Sequence, residues 1–329
     1  MNRNLIGGIK FKIIRTASSI IQFLAESKDG FLIRPAMRLN QNFSRPKHDL
    51  DQIGVVIQGP IYSIFDADNL AIFVRDLTGV LKPNAVVVST WENEYTEYFS
   101  KLVPCKVIRS KDECFENNFQ RQMFSTSVGL SFLKQQSIEI SIKIRVDQRI
   151  NLAALPLLKN LVLNKRYAGR IIFSSMNSYV HRFFGLSDML NAGTTDDMMK
   201  YWSPDILSQY FDTSSACIQL PISTWVNDIR PHWFESFLNI RFAYLNGFNL
   251  TMDPWEDYVN YLSNWVVLID AEILDQKWLK IHSPLYSLSE RVIFNPSVAS
   301  DDNEITQAIW FSICEGGYSP PRRKYDLKH

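Results

Sequence analysis

The sequence predicts an α/β protein built on a mostly parallel sheet with crossover helices, and three observations carry that expectation. Short β-branched runs alternate with segments of helical periodicity from Ile53 onward, the pattern of parallel strands joined by helices. Each strand-like run stops abruptly at a polar or glycine-containing turn. The chain has 329 residues, 46% of them hydrophobic and 21% charged, which is enough apolar material for a sizeable core.

Taken in order, residues 53–57 form a short apolar strand, stopped by Gln58-Gly59-Pro60. Residues 66–80 place Leu70, Phe73, Val74 and Leu77 on one helical face, and Pro83 closes the helix. Residues 85–89 are a second strand, 95–102 a short helix and 105–108 a third strand. The next helix, over about 119–134, carries Gly129 in its interior. Glycine costs ~1 kcal/mol against alanine there, so a close packing contact is expected at that point. Strand 140–146 follows, then a helix over 152–163 in which Pro156 is an awkward interior residue, then strand 170–173. Beyond Ser174 the pattern loosens into aromatic loops and short helices, among them 195–202 and 233–245.

The first fifty residues have a different character. Residues 5–24 mix Ile, Phe and Leu with Lys10, Lys12 and Arg15, and no acid precedes Glu26. As a helix this segment is basic and amphipathic, suited to an anionic membrane surface or to docking on the domain. Gly30, Pro35 and Arg45-Pro46-Lys47-His48 read as breaks and linker. The expected organisation is therefore an N-terminal basic segment and linker over 1–50 and a single domain over 51–329. The tail Pro320-Pro321-Arg322-Arg323-Lys324 is basic and reads as exposed. The formal net charge of +1 offers no global electrostatic case for nucleic acid. Cys105, Cys114, Cys217 and Cys314 share no metal-type spacing, so a reducing, cytoplasmic setting is expected.

The candidate site residues stand at strand ends, where an open α/β sheet holds its ligand. Gly59 lets a ligand or another chain segment approach the backbone after Gln58, and Pro60 stiffens the turn. Neither the dinucleotide fingerprint nor the P-loop pattern is present. Around Trp91, the groups of Ser89, Thr90 and Glu92 offer hydroxyls, an aromatic face and a carboxylate for a ribose or base; a core tryptophan and a helix cap are the plainer alternative. Asn118, Arg121, Gln122 and Ser125 recur at helical spacing on one face. Asn118 and Arg121 lie near the helix start, which suits a diphosphate, although such a ridge also suits solvent. Asp147 stands between Arg145 and Arg149, and alternation puts all three on one face if the strand persists. That carboxylate could hold a divalent metal bridging a diphosphate, orient the arginines, or serve as a structural ion pair. Asp188 and Glu235 are acids among aromatics, a setting for a general base.

Several of these segments, in this order, resemble the WavE-type lipopolysaccharide-synthesis family. They are Val56-Ile57-Gln58-Gly59-Pro60-Ile61, Ser89-Thr90-Trp91-Glu92, Asn118 with Arg121-Gln122, Ser125-Thr126, Gly129-Leu130 and Lys143-Ile144-Arg145-Val146-Asp147-Gln148-Arg149. The resemblance covers roughly residues 53–202 and implies a GT-A-like glycosyltransferase, with a nucleotide-binding half over 51–175 and an acceptor-side half over 176–329. It implies a nucleotide-sugar donor and a glycan or glycolipid acceptor of bacterial lipopolysaccharide or capsule, worked on in the cytoplasm or at the inner face of the plasma membrane. Under it, Gln58, Gly59, Pro60, Ser89, Thr90 and Glu92 would hold the nucleoside, and Asn118, Arg121, Gln122, Arg145 and Arg149 the phosphates. Asp147 would bind Mn2+ or Mg2+ or the donor sugar, and Asp188, with Glu235 second, would be the base. Where the wider class carries a second acid of its metal motif, this chain has Arg149, which leaves metal use open. Transfer of a phosphosugar or nucleotidyl group, or a non-catalytic scaffold, are the rival readings.

Overall fold

A computed structural model describes residues 50–111, 118–178, 180, 183–203, 211–212, 217–218, 234–248, 253–279 and 305–318. The basic stretch expected over 5–24, its linker and the tail at 320–324 lie outside the described residues. The chain divides into one unit of Asp49–Gln276 with Asp301–His329 and another of Met1–His48 with Lys277–Ser300. The central sheet and the helices that cover it belong to the first unit.

The expected alternation is present: β1 (Ile53–Gln58), α1 (Ile64–Val80), β2 (Val86–Trp91), α2 (Glu94–Ser100), β3 (Lys106–Ser110), α3 (Asn118–Gln135) and β4 (Ile140–Arg145). Local chemistry sets the helix starts. Ser63 caps α1 by accepting from the Asp66 N–H at 3.1 Å, and Asn93 with Thr96 forms a reciprocal capping box on α2. All six residues of β1 and all six of β2 are buried, as strands covered by helices on both faces must be.

The region 152–163 resolves its proline. A 3-10 turn at Leu152–Ala154 precedes α4 (Leu155–Leu163), so Pro156 falls in the first turn of the helix, where its missing N–H has no intrahelical partner to lose. Then come β5 (Ile171–Ser174), β6 (Asn191–Thr194), α5 (Thr195–Trp202), α6 (Phe234–Leu245), α7 (Pro254–Trp265), β7 (Val266–Ile269) and α8 (Gln307–Cys314).

Seven strands make one sheet in the order β7-β5-β6-β4-β1-β2-β3. Neighbours are parallel except β6, which runs antiparallel to both β4 and β5. The chain steps from β1 through β2 to β3 on one side and then returns to the other flank of β1 with β4. This reversal makes a topological switch point at the carboxyl ends of β1 and β4, the place where open α/β sheets take ligands. Register sets the side-chain faces there: Val56 pairs with Lys143, and Gln58 pairs with both Arg145 and Ser89.

Helix α3 covers that face closely. A Cβ added to Gly129 would come within 2.6 Å of Val56 Cγ1, which supplies the packing contact expected of a mid-helix glycine. Trp91 stacks on Phe124 of the same helix at 6.3 Å between centroids.

Candidate active site at the ends of strands β1 and β4

The β1 end is a fixed loop. Gly59 has φ +136° and donates its N–H to Ser89 O at 3.2 Å. A side chain there would meet Val146 Cγ2 at 2.9 Å, so the turn needs glycine for both its dihedral and its clearance. The Val146 N–H donates to Gln58 O at 2.9 Å. Asn93 Nδ2 donates to Ile61 O and the Tyr62 N–H to Asp66 Oδ2. Tyr62 itself is 59% exposed. Burial of its hydroxyl raises its pKa, while the charges of Arg145 and Arg121 oppose the rise and that of Asp147 adds to it. Tyr62 is thus within electrostatic reach of all three.

Strand β4 ends earlier than its sequence predicts. Pairing stops at Arg145, the chain turns through Val146 and Asp147, and extended structure resumes at Gln148–Arg149. The expected common face of Arg145, Asp147 and Arg149 is therefore broken. Arg145 grips Asp147 with both ends of its guanidinium: Nε donates to Oδ1 at 3.0 Å and Nη2 to Oδ2 at 3.1 Å. Burial disfavours the Arg145 charge, but Asp147, Asp188 and Glu235 outweigh it and raise its pKa above the ordinary range.

Arg149 lies with Phe73 of α1, its guanidinium carbon 5.0 Å from the ring centroid. Its Nη1 donates to Val146 O at 2.8 Å and Gln148 O at 2.6 Å, which pins the turn. Nε and Nη2 are buried with no hydrogen-bond partner, and burial pushes its pKa down to about 10. Arg145, by contrast, shares the α3 face with Gln58.

Two residues before the strand end, Lys143 is fully buried. It lies over the Trp202 ring of α5 at 4.6 Å, donates to the main-chain oxygen of Asp188 and stands 3.6 Å from Asp188 Oδ2. Burial lowers its pKa to about 8 against the pull of Asp188. Gln122 Nε2 also donates to Asp188 Oδ2. Asp188, 4% exposed, thereby links the first turns of α3 to β4. On α3, Arg121 Nη1 donates to Asn118 Oδ1 at 3.2 Å, and the buried Ser125 hydroxyl bonds back to Arg121 O.

The other expected residues are more dispersed. Ser89 and Thr90 are fully buried on opposite faces of β2, and neither hydroxyl has a hydrogen-bond partner; Ser89 Cβ lies near Gly129 under α3. Glu92 is exposed, and the helix-capping role falls to its neighbour Asn93. Glu235 is half-buried in the first turn of α6, near enough for its charge to act on Arg145 and, with Asp188, on the buried Tyr201.

Sequence reasoning passed over Lys143, Trp202 and Tyr62. The lysine left a signal, since Ser141, Lys143 and Arg145 alternate with isoleucines in one strand. Trp202 and Tyr62 left none beyond position.

A divalent cation at a nucleotide diphosphate is usually held by one or two carboxylates together with the phosphates, and the one acid at this strand end, Asp147, is already engaged. Here both oxygens of Asp147 bond to Arg145, Arg149 is turned to the α1 face, and no cluster of three His, Cys, Asp or Glu occurs among the described residues.

The profile of the WavE lipopolysaccharide synthesis family matches residues 53–224, more than half of the chain. The chain belongs to the WavE lipopolysaccharide synthesis family. The WavE match takes in every candidate residue from Gln58 to Asp188 and stops before Glu235. Among curated proteins no sequence matches. Solved structures similar to this WavE protein include a glycosyltransferase involved in glycosylation of the major capsid of PBCV-1, at 10% identity and TM-score 0.32 over 66% of this chain and 83% of that one. CMP:2-keto-3-deoxy-manno-octonic acid synthetase complexed with CTP is similar at 13% identity and TM-score 0.36, over 67% and 91%. A cytidylyltransferase from Leptospira borgpetersenii serovar Hardjo-bovis (strain JB197) is similar at 19% identity and TM-score 0.31 over 46% of this chain, which spans 63% of its length.

Proposed function

We propose that this protein is a GT-A-like glycosyltransferase that moves a sugar from a nucleotide-sugar donor to a lipopolysaccharide or capsular glycan at the cytoplasmic face of the membrane. The observation that carries the reading is the placement of Arg145 at the carboxyl end of β4, at the topological switch point of the sheet and on the face covered by α3, the helix that carries Arg121, in a chain of a lipopolysaccharide synthesis family. Preorganised cations at a strand end are what a departing diphosphate requires. Gln58 and the Gly59-Pro60 turn flank the nucleoside, with Glu92 at the rim and Ser89 and Thr90 packed behind. Asn118 and Gln122 hold Arg121 and Asp188 in place around the phosphates.

In the transfer, the acceptor oxygen bonds to the anomeric carbon as the bond from that carbon to the diphosphate breaks. Glu235, the more open of the two acids, takes the hydroxyl proton, and the buried Asp188 positions the polar cluster. The test is incubation with UDP-, GDP-, CMP- and dTDP-sugars plus a lipopolysaccharide-type acceptor, read by product mass. A gain of one sugar residue supports glycosyl transfer; a gain that includes phosphate means phosphosugar transfer instead. In the same assay Glu235→Gln should slow turnover by about 10²–10⁴-fold, the usual worth of a general base, and an unchanged rate removes Glu235 from that role.

A further inference from the structure

If the site takes a nucleoside diphosphate as proposed above, the charge of that diphosphate must be neutralised by something, and the surroundings of Asp147 bear on what that is. Three observations converge. The carboxylate at the β4 end has both oxygens on one guanidinium, Arg145, at 3.0 and 3.1 Å. Arg149, the next cation along the chain, packs on Phe73 and pins the turn through Val146 O and Gln148 O. The first turns of α3, which carry Arg121, are tied through Gln122, Asp188 and Lys143 to β4, whose last residue is Arg145.

We infer that the nucleoside diphosphate is held by Arg121 and Arg145 without a divalent cation, and that Asp147 is the internal counter-ion that keeps Arg145 aimed at the site while it is empty. The geometry suits this division of labour. A planar guanidinium gripped from one side by a carboxylate is fixed in direction, and its remaining N–H groups can still donate to phosphate oxygens. Its side chain remains 32% exposed, so an anion can reach it. Asp147 itself repels that anion. Its charge is therefore a cost to diphosphate binding, the opposite of what a metal-holding aspartate contributes.

The sign of the Asp147→Asn effect separates the two. The experiment is titration calorimetry of UDP, GDP and dTDP on the full chain, in EDTA and again in Mn2+, for wild type, Asp147→Asn, Arg145→Met, Arg145→Lys and Arg121→Met. Melting without ligand checks that each variant is folded. The expected result is one nucleotide binding equally in EDTA and Mn2+. Asp147→Asn should bind it as tightly or more tightly, and Arg121→Met about tenfold or more weakly, the worth of one charge-assisted contact. Arg145→Met should show the same loss, with partial recovery in Arg145→Lys. Binding that appears only with Mn2+ and vanishes in Asp147→Asn overturns the inference and leaves the nucleotide-sugar reading standing. Absence of binding for all three in both conditions overturns the inference and removes every nucleoside diphosphate donor, which leaves only a CMP-sugar to the reading above.

Discussion

At the scale of single residues, Lys143 shows how far this site departs from solution chemistry. Its ammonium has no exposure, and burial holds its pKa near 8 even though Asp188 draws it upward. Between that value and the ordinary lysine value of 10.5, the unfolded chain binds a proton that the folded chain has released. Stability from this group therefore rises as pH rises through the window, and the penalty for a buried charge is fully present below it. Other buried groups titrate here too, so the useful quantity is the difference between wild type and Lys143→Met. That difference should shift in favour of wild type from pH 8 to 10.5, by at most ~1.4 kcal/mol per pH unit. Urea melts at several pH values measure it, and a flat difference would mean that Lys143 keeps its solution pKa. The neighbouring arginines show what alternation can and cannot foretell. Arg145 was legible as a charged strand end. Arg149 was not, because the face it takes depends on a turn at Val146 and Asp147 that pairing with β1 ends and Arg149 itself fastens.

At the scale of elements, α3 decides how close the site stands to the sheet. Its polar ridge was visible in the spacing of Asn118, Arg121, Gln122 and Ser125, but the destinations of those side chains were not. Gln122 reaches Asp188 and Ser125 turns back on its own helix. The interior Gly129 was legible as an anomaly, and its reason is Val56 beneath it. Two effects compete in Gly129→Ala. Alanine gains ~1 kcal/mol of helix propensity, while overpacking a buried contact typically costs about 1–3 kcal/mol. The clash is with the fully buried side chain of a central strand, which has little room to yield, so the packing term should win. Gly129→Ala is expected to melt lower than wild type and, because α3 then lifts from β1, to bind nucleotide more weakly. A higher melting temperature would show that the helix accommodates the methyl group. Elements β6 and β7 eluded the sequence for different reasons. Asn-Ala-Gly-Thr lacks the apolar, β-branched content of a central strand, and Val266 follows the last residue of α7 with no turn between them.

At the scale of the whole molecule, the parts legible in the sequence are those where chain neighbours are also spatial neighbours. The run from β1 to β3 with its helices is of that kind, and β4, which pairs with β1 rather than β3, announces itself by its own β-branched run. The antiparallel insertion of β6 between β4 and β5 is not, since it joins segments about fifty residues apart by register alone. The same limit applies to the site, whose Lys143–Asp188 contact spans 45 residues. Charge is the property for which the whole chain and its parts differ most. The formal total is +1, so attraction to an anionic surface cannot come from the molecule as a whole and must come from local concentrations of Lys and Arg. Residues 5–24 are one such concentration, with three basic residues and no acid. Among the described residues no helix is long and apolar enough to cross a membrane. If the acceptor is a glycolipid, we propose the charge of this basic stretch as the route to it. Attraction of that kind is screened over ~10 Å at 0.1 M salt and ~3 Å at 1 M. The full chain should then float with vesicles containing anionic lipid at low salt, float less as salt is raised, and stay with the soluble fraction on neutral vesicles. Deleting residues 1–28 should abolish flotation while leaving nucleotide binding unchanged. Equal flotation with and without that segment would place the membrane contact elsewhere, and flotation indifferent to salt would make it apolar rather than electrostatic.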